Sequence, residues 1–122
     1  MSEIKTSKQS PRFENGKICW FENDTFVLQF LVNLVESETN EPLTILPSDE
    51  IVVCFYKNNI PITKFCYNNL KEGEPICLDF SSDVSKKFKE GTYTYTITYI
   101  GDSRTTIVAK NIAEVQKWAK LI

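Results

Sequence analysis

Hydrophobic and polar residues alternate with a period of two along most of this chain. In residues 25–35, Phe26, Leu28, Phe30, Val32 and Leu34 fall on one side, the spacing that places every second side chain on one face of a β-strand. Residues 92–99 repeat the pattern: Tyr93, Tyr95, Ile97 and Tyr99 alternate with Thr92, Thr94, Thr96 and Thr98. That predicts a strand with one aromatic buried face and one threonine-lined solvent face. Residues 17–22, 51–57, 60–67, 75–80 and 104–109 read as further strands, and 43–46 as a short edge segment ended by Pro47. Asn23-Asp24, Asn58-Asn59 and Gly101-Asp102 supply turns between them, since Asn and Gly accept the left-handed backbone that tight turns demand. Pro61 marks residues 60–67 as an edge strand, and the polar run 36–42 reads as a hairpin loop. The one helical reading is a turn opened by Ser81-Ser82-Asp83, running through Phe88 and ended by Gly91, with a Ser or Asp cap.

The end of the chain supports two patterns. Residues 111–122 extend the last strand, or Ile112, Val115, Trp118 and Ile122 form one face of a short helix capped by Asn111. The expectation is a strand through Glu114 and a helical or irregular tail. Several short strands with a turn every eight to twelve residues or so predict an all-β fold. It is an immunoglobulin-like antiparallel β-sandwich with one short helical turn. A length of 122 residues suits one domain. It divides into a polar lead-in at 1–15 closed by Pro11 and the Asn15-Gly16 turn, a sandwich domain at 16–116 and a tail at 117–122.

Composition removes several functions. The net charge is −2, from 14 basic and 16 acidic residues, without the basic excess that neutralising phosphates requires. The densest basic cluster, Lys86, Lys87 and Lys89, is interrupted by Phe88 and followed by Glu90, and reads as a solvated corner. No nucleic-acid partner is expected. The first ten residues lack the apolar core of a secretion signal. The apolar stretch 26–35 is broken by Gln29 and Asn33 and is too short to cross a bilayer. A chain made in the cytoplasm, with no membrane partner, is the expectation.

Chemistry is equally sparse. With no histidine, the chain has no Ser-His-Asp triad, no Cys-His dyad and no histidine metal site. Cys19, Cys54, Cys66 and Cys77 fall in no C-x-x-C pair and read as buried free thiols. Cys54 stands in Val-Val-Cys-Phe-Tyr, an apolar setting that opposes thiolate formation. Asp49-Glu50 and the Glu36, Glu38 pair lie beside turns and read as solvated carboxylates. No phosphate loop, dinucleotide fingerprint or calcium loop is present, so neither an enzyme nor a cofactor is expected.

One feature exceeds ordinary sandwich patterning. The second faces of the two strongest strands are apolar as well: Val27, Leu31 and Val35 on one, and Val52, Cys54 and Tyr56 on the other. Either the chain's own loop or tail covers them, or they are a subunit interface, because large exposed apolar patches mark contact surfaces. A third reading, sugar binding through Trp20, Phe21 or Tyr67, uses aromatics that also suit a core.

The segment order resembles a known group. Asn23-Asp24-Thr25 leads through a strand to Asn40-Glu41-Pro42-Leu43, then to Ser48-Asp49-Glu50-Ile51-Val52-Val53-Cys54-Phe55. Ile76-Cys77-Leu78-Asp79-Phe80, the Ser82-Asp83 turn and Glu90-Gly91-Thr92-Tyr93-Thr94-Tyr95 follow. Over residues 17–110 this order is similar to the β-sandwich domains of tailed-phage virion proteins. The family in view is the N-terminal domain of upper baseplate proteins of phages of Gram-positive bacteria, with related domains in head fibres and tail accessory proteins. The resemblance implies a non-enzymatic virion component, a homo-oligomeric adaptor or decoration domain of baseplate, tail or head surface that docks to other virion proteins. Such proteins commonly continue into a fibre or receptor-binding region, whereas this sequence stops at Ile122, which favours the short adaptor role. The alternative expectation is a stand-alone carbohydrate- or peptide-binding sandwich.

Overall fold

Turn chemistry sets the strand pairing in the computed structural model, which describes residues 11–31, 46–69, 74–101 and 104–117. Asn15 and Gly16 both take positive φ, 52° and 82°, and fold β1 (Arg12–Glu14) back onto β2 (Lys17–Phe21). Asn58 and Asn59, at φ 51° and 66°, do the same between β4 (Glu50–Lys57) and β5 (Ile60–Tyr67), the double left-handed step that matches strand twist. β3 (Phe26–Phe30), β6 (Ile76–Phe80), α1 (Ser82–Ser85), β7 (Gly91–Gly101) and β8 (Arg104–Gln116) complete the described elements. They form an all-β sandwich: one sheet in the order β1-β2-β8-β7-β4-β5, packed on a second sheet of β3 and β6. Pairing is antiparallel as expected in every ladder but one. β2 runs parallel to β8, with Trp20 beside Val115.

Between the sheets lies an aromatic core. Trp20 is fully buried, with the rings of Phe26, Phe55, Phe80 and Phe88 centred 5.2 to 6.1 Å away. Ile51, Val53 and Phe55 of β4 face Leu78 and Phe80 of β6 across it. The indole N–H of Trp20 has no hydrogen-bond partner among the described residues; aromatic rings surround it instead. Phe88, delivered by the turn after α1, closes the open end of the sandwich against Trp20, Phe80 and Tyr93. The expected side-chain cap is not made at the N-cap Ser81. The Ser85 hydroxyl does the anchoring, donating to the carbonyl of Asp24 in the β2–β3 turn.

Several expectations need correction. Within the polar lead-in at 1–15, Arg12–Glu14 forms an edge strand. The Asn-Gly pair read as closing that lead-in is the turn of a hairpin. The last strand does not stop near 109 or 114 but runs to Gln116, which sets aside the Asn111-capped helix as far as it is described. Its long pairing with β7 absorbs one register shift at Ile97/Thr98, and this bulge obscured the alternation in sequence. The threonine side of β7 is not uniformly solvated either, since Thr96 is buried between Cys54 and Lys110. The hairpin loop at 36–42, most of the 43–46 segment and residues 118–122 lie outside the described residues.

Candidate functional site

β-Strand geometry fixes which side chains leave the core. On β4, Ile51, Val53 and Phe55 point inward, so Val52, Cys54 and Tyr56 point out of the six-stranded sheet. The ladders extend them into rows. Val52 lies between Cys66 of β5 and Thr98 of β7, and Thr98 is followed by Ile107 of β8. Cys54 lies between Lys64 and Thr96, with Lys110 beyond. Tyr56 lies between Pro61 and Thr94, with Ile112 beyond. Val52 and Tyr56 are half-buried by these neighbours and Cys54 is buried, while Ile107 and Ile112 stand 62% and 41% exposed. The Tyr56 hydroxyl sits against the Cys54 thiol and the Thr96 hydroxyl, and the thiol contact pushes its pKa upward.

Val27 lies on the outside of the other sheet, and Leu31 follows directly after the end of β3. They are 54% and 58% exposed, with Gln29 between them and Asp79 and Cys77 paired alongside. Val35 lies outside the described residues. Val27 and Leu31 are therefore separated from Val52, Cys54 and Tyr56 by the whole thickness of the sandwich. The structure does not bring these residues into one patch; it gives the molecule two outward apolar faces pointing in opposite directions. Ile107 and Ile112, missed from sequence, are exposed branched residues of the six-stranded face. Ile107 precedes and Ile112 follows the register shift in β8, which brings two positions of opposite parity onto one face.

Three polar arrangements sit beside these faces. Over β2, Lys17 bonds Glu114 at 2.6 Å, Gln116 donates to Glu114 at 3.1 Å, and Arg12 reaches both Gln116 and Glu14. The Lys17 and Gln116 hydrogen bonds hold the Glu114 carboxyl below its ordinary range, and Glu114 in turn raises Lys17. Cys19 lies buried beneath this network, and burial pushes its thiol pKa up, which leaves it a poor nucleophile. At the far end of the molecule Asp49 is buried rather than solvated, a correction to the sequence reading. Its carboxylate accepts from the Leu46 N–H at 2.8 Å and the Tyr99 hydroxyl at 2.7 Å. The third arrangement is an open groove of about 300 Å³ between the edges of β5 and β6, lined by Tyr67, Asn68, Asn69, Glu74, Pro75, Ile76 and Cys77. The Tyr67 hydroxyl donates to the Cys77 carbonyl at 2.6 Å across it, and burial lifts its pKa to about 12.

No known protein family, curated protein or solved structure matches the chain. Among the described residues, no three acidic or cysteine side chains gather where they would hold a metal ion, and no helix is long and apolar enough to cross a membrane. Cys19 and Cys54 fit the expectation of buried free thiols, while Cys66 and Cys77 are exposed. Trp20 is a core residue, Phe21 is buried and Tyr67 is half-buried against the core, so none of the aromatics considered for sugar binding stands fully exposed. The outer sheet faces carry branched apolar side chains, with Lys64, Lys110 and Asp79 exposed beside them.

Proposed function

We propose that this chain is a non-enzymatic structural component of a phage or phage-like virion, an oligomerising adaptor or decoration domain of baseplate, tail or head surface. Its partners are copies of itself and other virion proteins. The observation that carries the reading is the exposure of Val27, Leu31, Ile107 and Ile112 on sheet faces whose opposite sides already fill the core. A strand in a solitary sandwich needs only one apolar face, and a second one left in water is the mark of a contact surface. The similarity in segment order to virion sandwich domains supplies the setting. The test is quantitative mass spectrometry of purified particles from cells that make the chain. A fixed copy number that is a multiple of the particle's symmetry is the expected result; finding the chain only in the particle-free fraction overturns the reading.

A second reading, a carbohydrate- or peptide-binding module, rests on the groove beside Tyr67, where Asn68, Asn69 and Glu74 offer polar contacts around a half-buried ring. A glycan array and a peptide array separate the two: saturable binding that Asn69→Ala and Glu74→Ala abolish favours the module, and silence across both arrays removes it.

A further inference from the structure

We infer that copies of this chain dock face to back, the outer side of the six-stranded sheet of one seated on the outer side of the β3–β6 sheet of the next. The inference rests on the assembly reading above and adds its partner and its symmetry. Two observations choose this arrangement over a twofold pair.

The first is placement. The two outward apolar faces lie on opposite sides of one sandwich, Ile107 and Ile112 on one and Val27 and Leu31 on the other. A twofold dimer uses the same patch from both copies and leaves the opposite face of each in water. Head-to-tail docking covers both faces with a single type of contact.

The second is charge. Across the six-stranded face, Lys64, Cys54, Thr96 and Lys110 form one row, with both lysines exposed. They stand three strand spacings apart, about 14 Å. Sheets that pack aligned keep their strands within about 30° of each other. A second copy turned over about an axis through the middle of this row brings its own two lysines close to these two, with no carboxylate in the row between them; Glu50 and Glu114, also on this face, stand at its opposite ends, Glu114 held by Lys17. The β3–β6 face carries the opposite sign: Asp79, exposed, is the ladder partner of Val27. Lysine-bearing apolar surface against aspartate-bearing apolar surface is complementary; lysine against lysine is not.

Head-to-tail contacts close into a ring when the rotation between neighbours permits and otherwise extend as a stack. Among the described residues the β3–β6 face is two strands wide, so the contact they offer is small by the standard of stable complexes and assembly depends on concentration.

The experiment uses the full chain and light scattering up to about 1 mM protein, with two variants at exposed positions: Ile107→Lys, which spoils the six-stranded face, and Leu31→Asp, which spoils the two-stranded face at the end away from Asp79. Circular dichroism and urea midpoints confirm that both fold. The wild type is expected to rise past twice the monomer mass, each variant alone to stay monomeric, and an equimolar mixture of the two to form a species of twice the monomer mass and no larger. In that mixture each variant supplies the face the other has lost. Three results overturn the inference. They are a wild type that remains monomeric throughout, a wild type that saturates as a dimer, or a Leu31→Asp variant that still dimerises alone through its intact lysine-bearing face. A chain found in particles yet monomeric in solution ends this inference and leaves the virion reading standing. A chain that assembles head to tail but is absent from particles does the reverse.

Discussion

At Gly101 the chain passes so close to its neighbours that a methyl group has no room. A Cβ there would lie 2.5 Å from the Tyr99 hydroxyl and 2.7 Å from Asp49 Oδ1. The contact matters because Tyr99 donates to the buried Asp49 carboxylate, which also holds the Leu46 N–H and so fixes the turn entering β4. Gly101→Ala is expected to cost about 1–3 kcal/mol, the usual range for forcing extra volume into a packed site, read as a lower urea midpoint at unchanged slope. In a Tyr99→Phe background, where the nearest obstructing oxygen is gone, the same substitution should cost less, the remainder being set by Asp49 Oδ1 and the ring Cζ at 2.7 and 2.8 Å. Equal costs in both backgrounds would show that the hydroxyl is not the obstacle. The sequence displayed Gly101 as half of a turn pair and nothing more, because the Tyr99 hydroxyl that crowds it is held in place by Asp49, far away in the chain, and that has no local signature.

Among the elements, the parallel junction of β2 and β8 depends most on charge. The Arg12, Glu14, Lys17, Glu114 and Gln116 side chains tie three strands together above Cys19. Glu114 has a folded pKa below its ordinary 4.5. A depressed carboxylate contributes stability that is present above its unfolded pKa and lost as pH falls through its folded one. Wild type should therefore lose stability more steeply than Glu114→Gln as pH drops below about 4.5, the two profiles converging once the carboxylate is protonated. Amide exchange at the β2–β8 ladder is the local readout: protection there should fall in acid ahead of that in β4–β7, where no ion pair joins the strands among the described residues. Parallel profiles for wild type and variant would remove Glu114 from the account of this junction.

At the scale of the whole molecule, the described residues form a six-stranded sheet with an aromatic core concentrated under two covering strands and one helical turn. Phe88 completes that core, and its ring is packed on Trp20, Phe55, Phe80 and Tyr93 at 5.0 to 5.7 Å between centroids. Phe88→Ala should cost about 3–5 kcal/mol, the range for emptying a buried aromatic site, with Trp20 fluorescence shifting as its neighbour is lost. Val27→Ala and Ile107→Thr, on the outward faces, should stay within about 0.5 kcal/mol of wild type while weakening self-association. If the outward substitutions destabilise as much as Phe88→Ala, these faces belong to the fold rather than to docking.

What the sequence determined by itself was whatever depends on neighbours in the chain. Period-two alternation marked β4 and β7, paired asparagines marked the β4–β5 hairpin, and Pro61 marked β5 as an edge. The surplus of apolar residues at Val27, Leu31 and Val52 was equally visible, since a strand's two faces can be counted without coordinates. Only the tertiary structure decided which way those surplus faces point. Sheet membership is a matter of long-range pairing, so no local pattern could show that β3 and β4 belong to different layers, with their outer sides directed apart. The same holds for the burial of Asp49 and the exposure of Ile107 and Ile112. The first follows from a hydroxyl brought in by a distant strand, the second from a bulge that shifts register by one residue and so exchanges inside for outside.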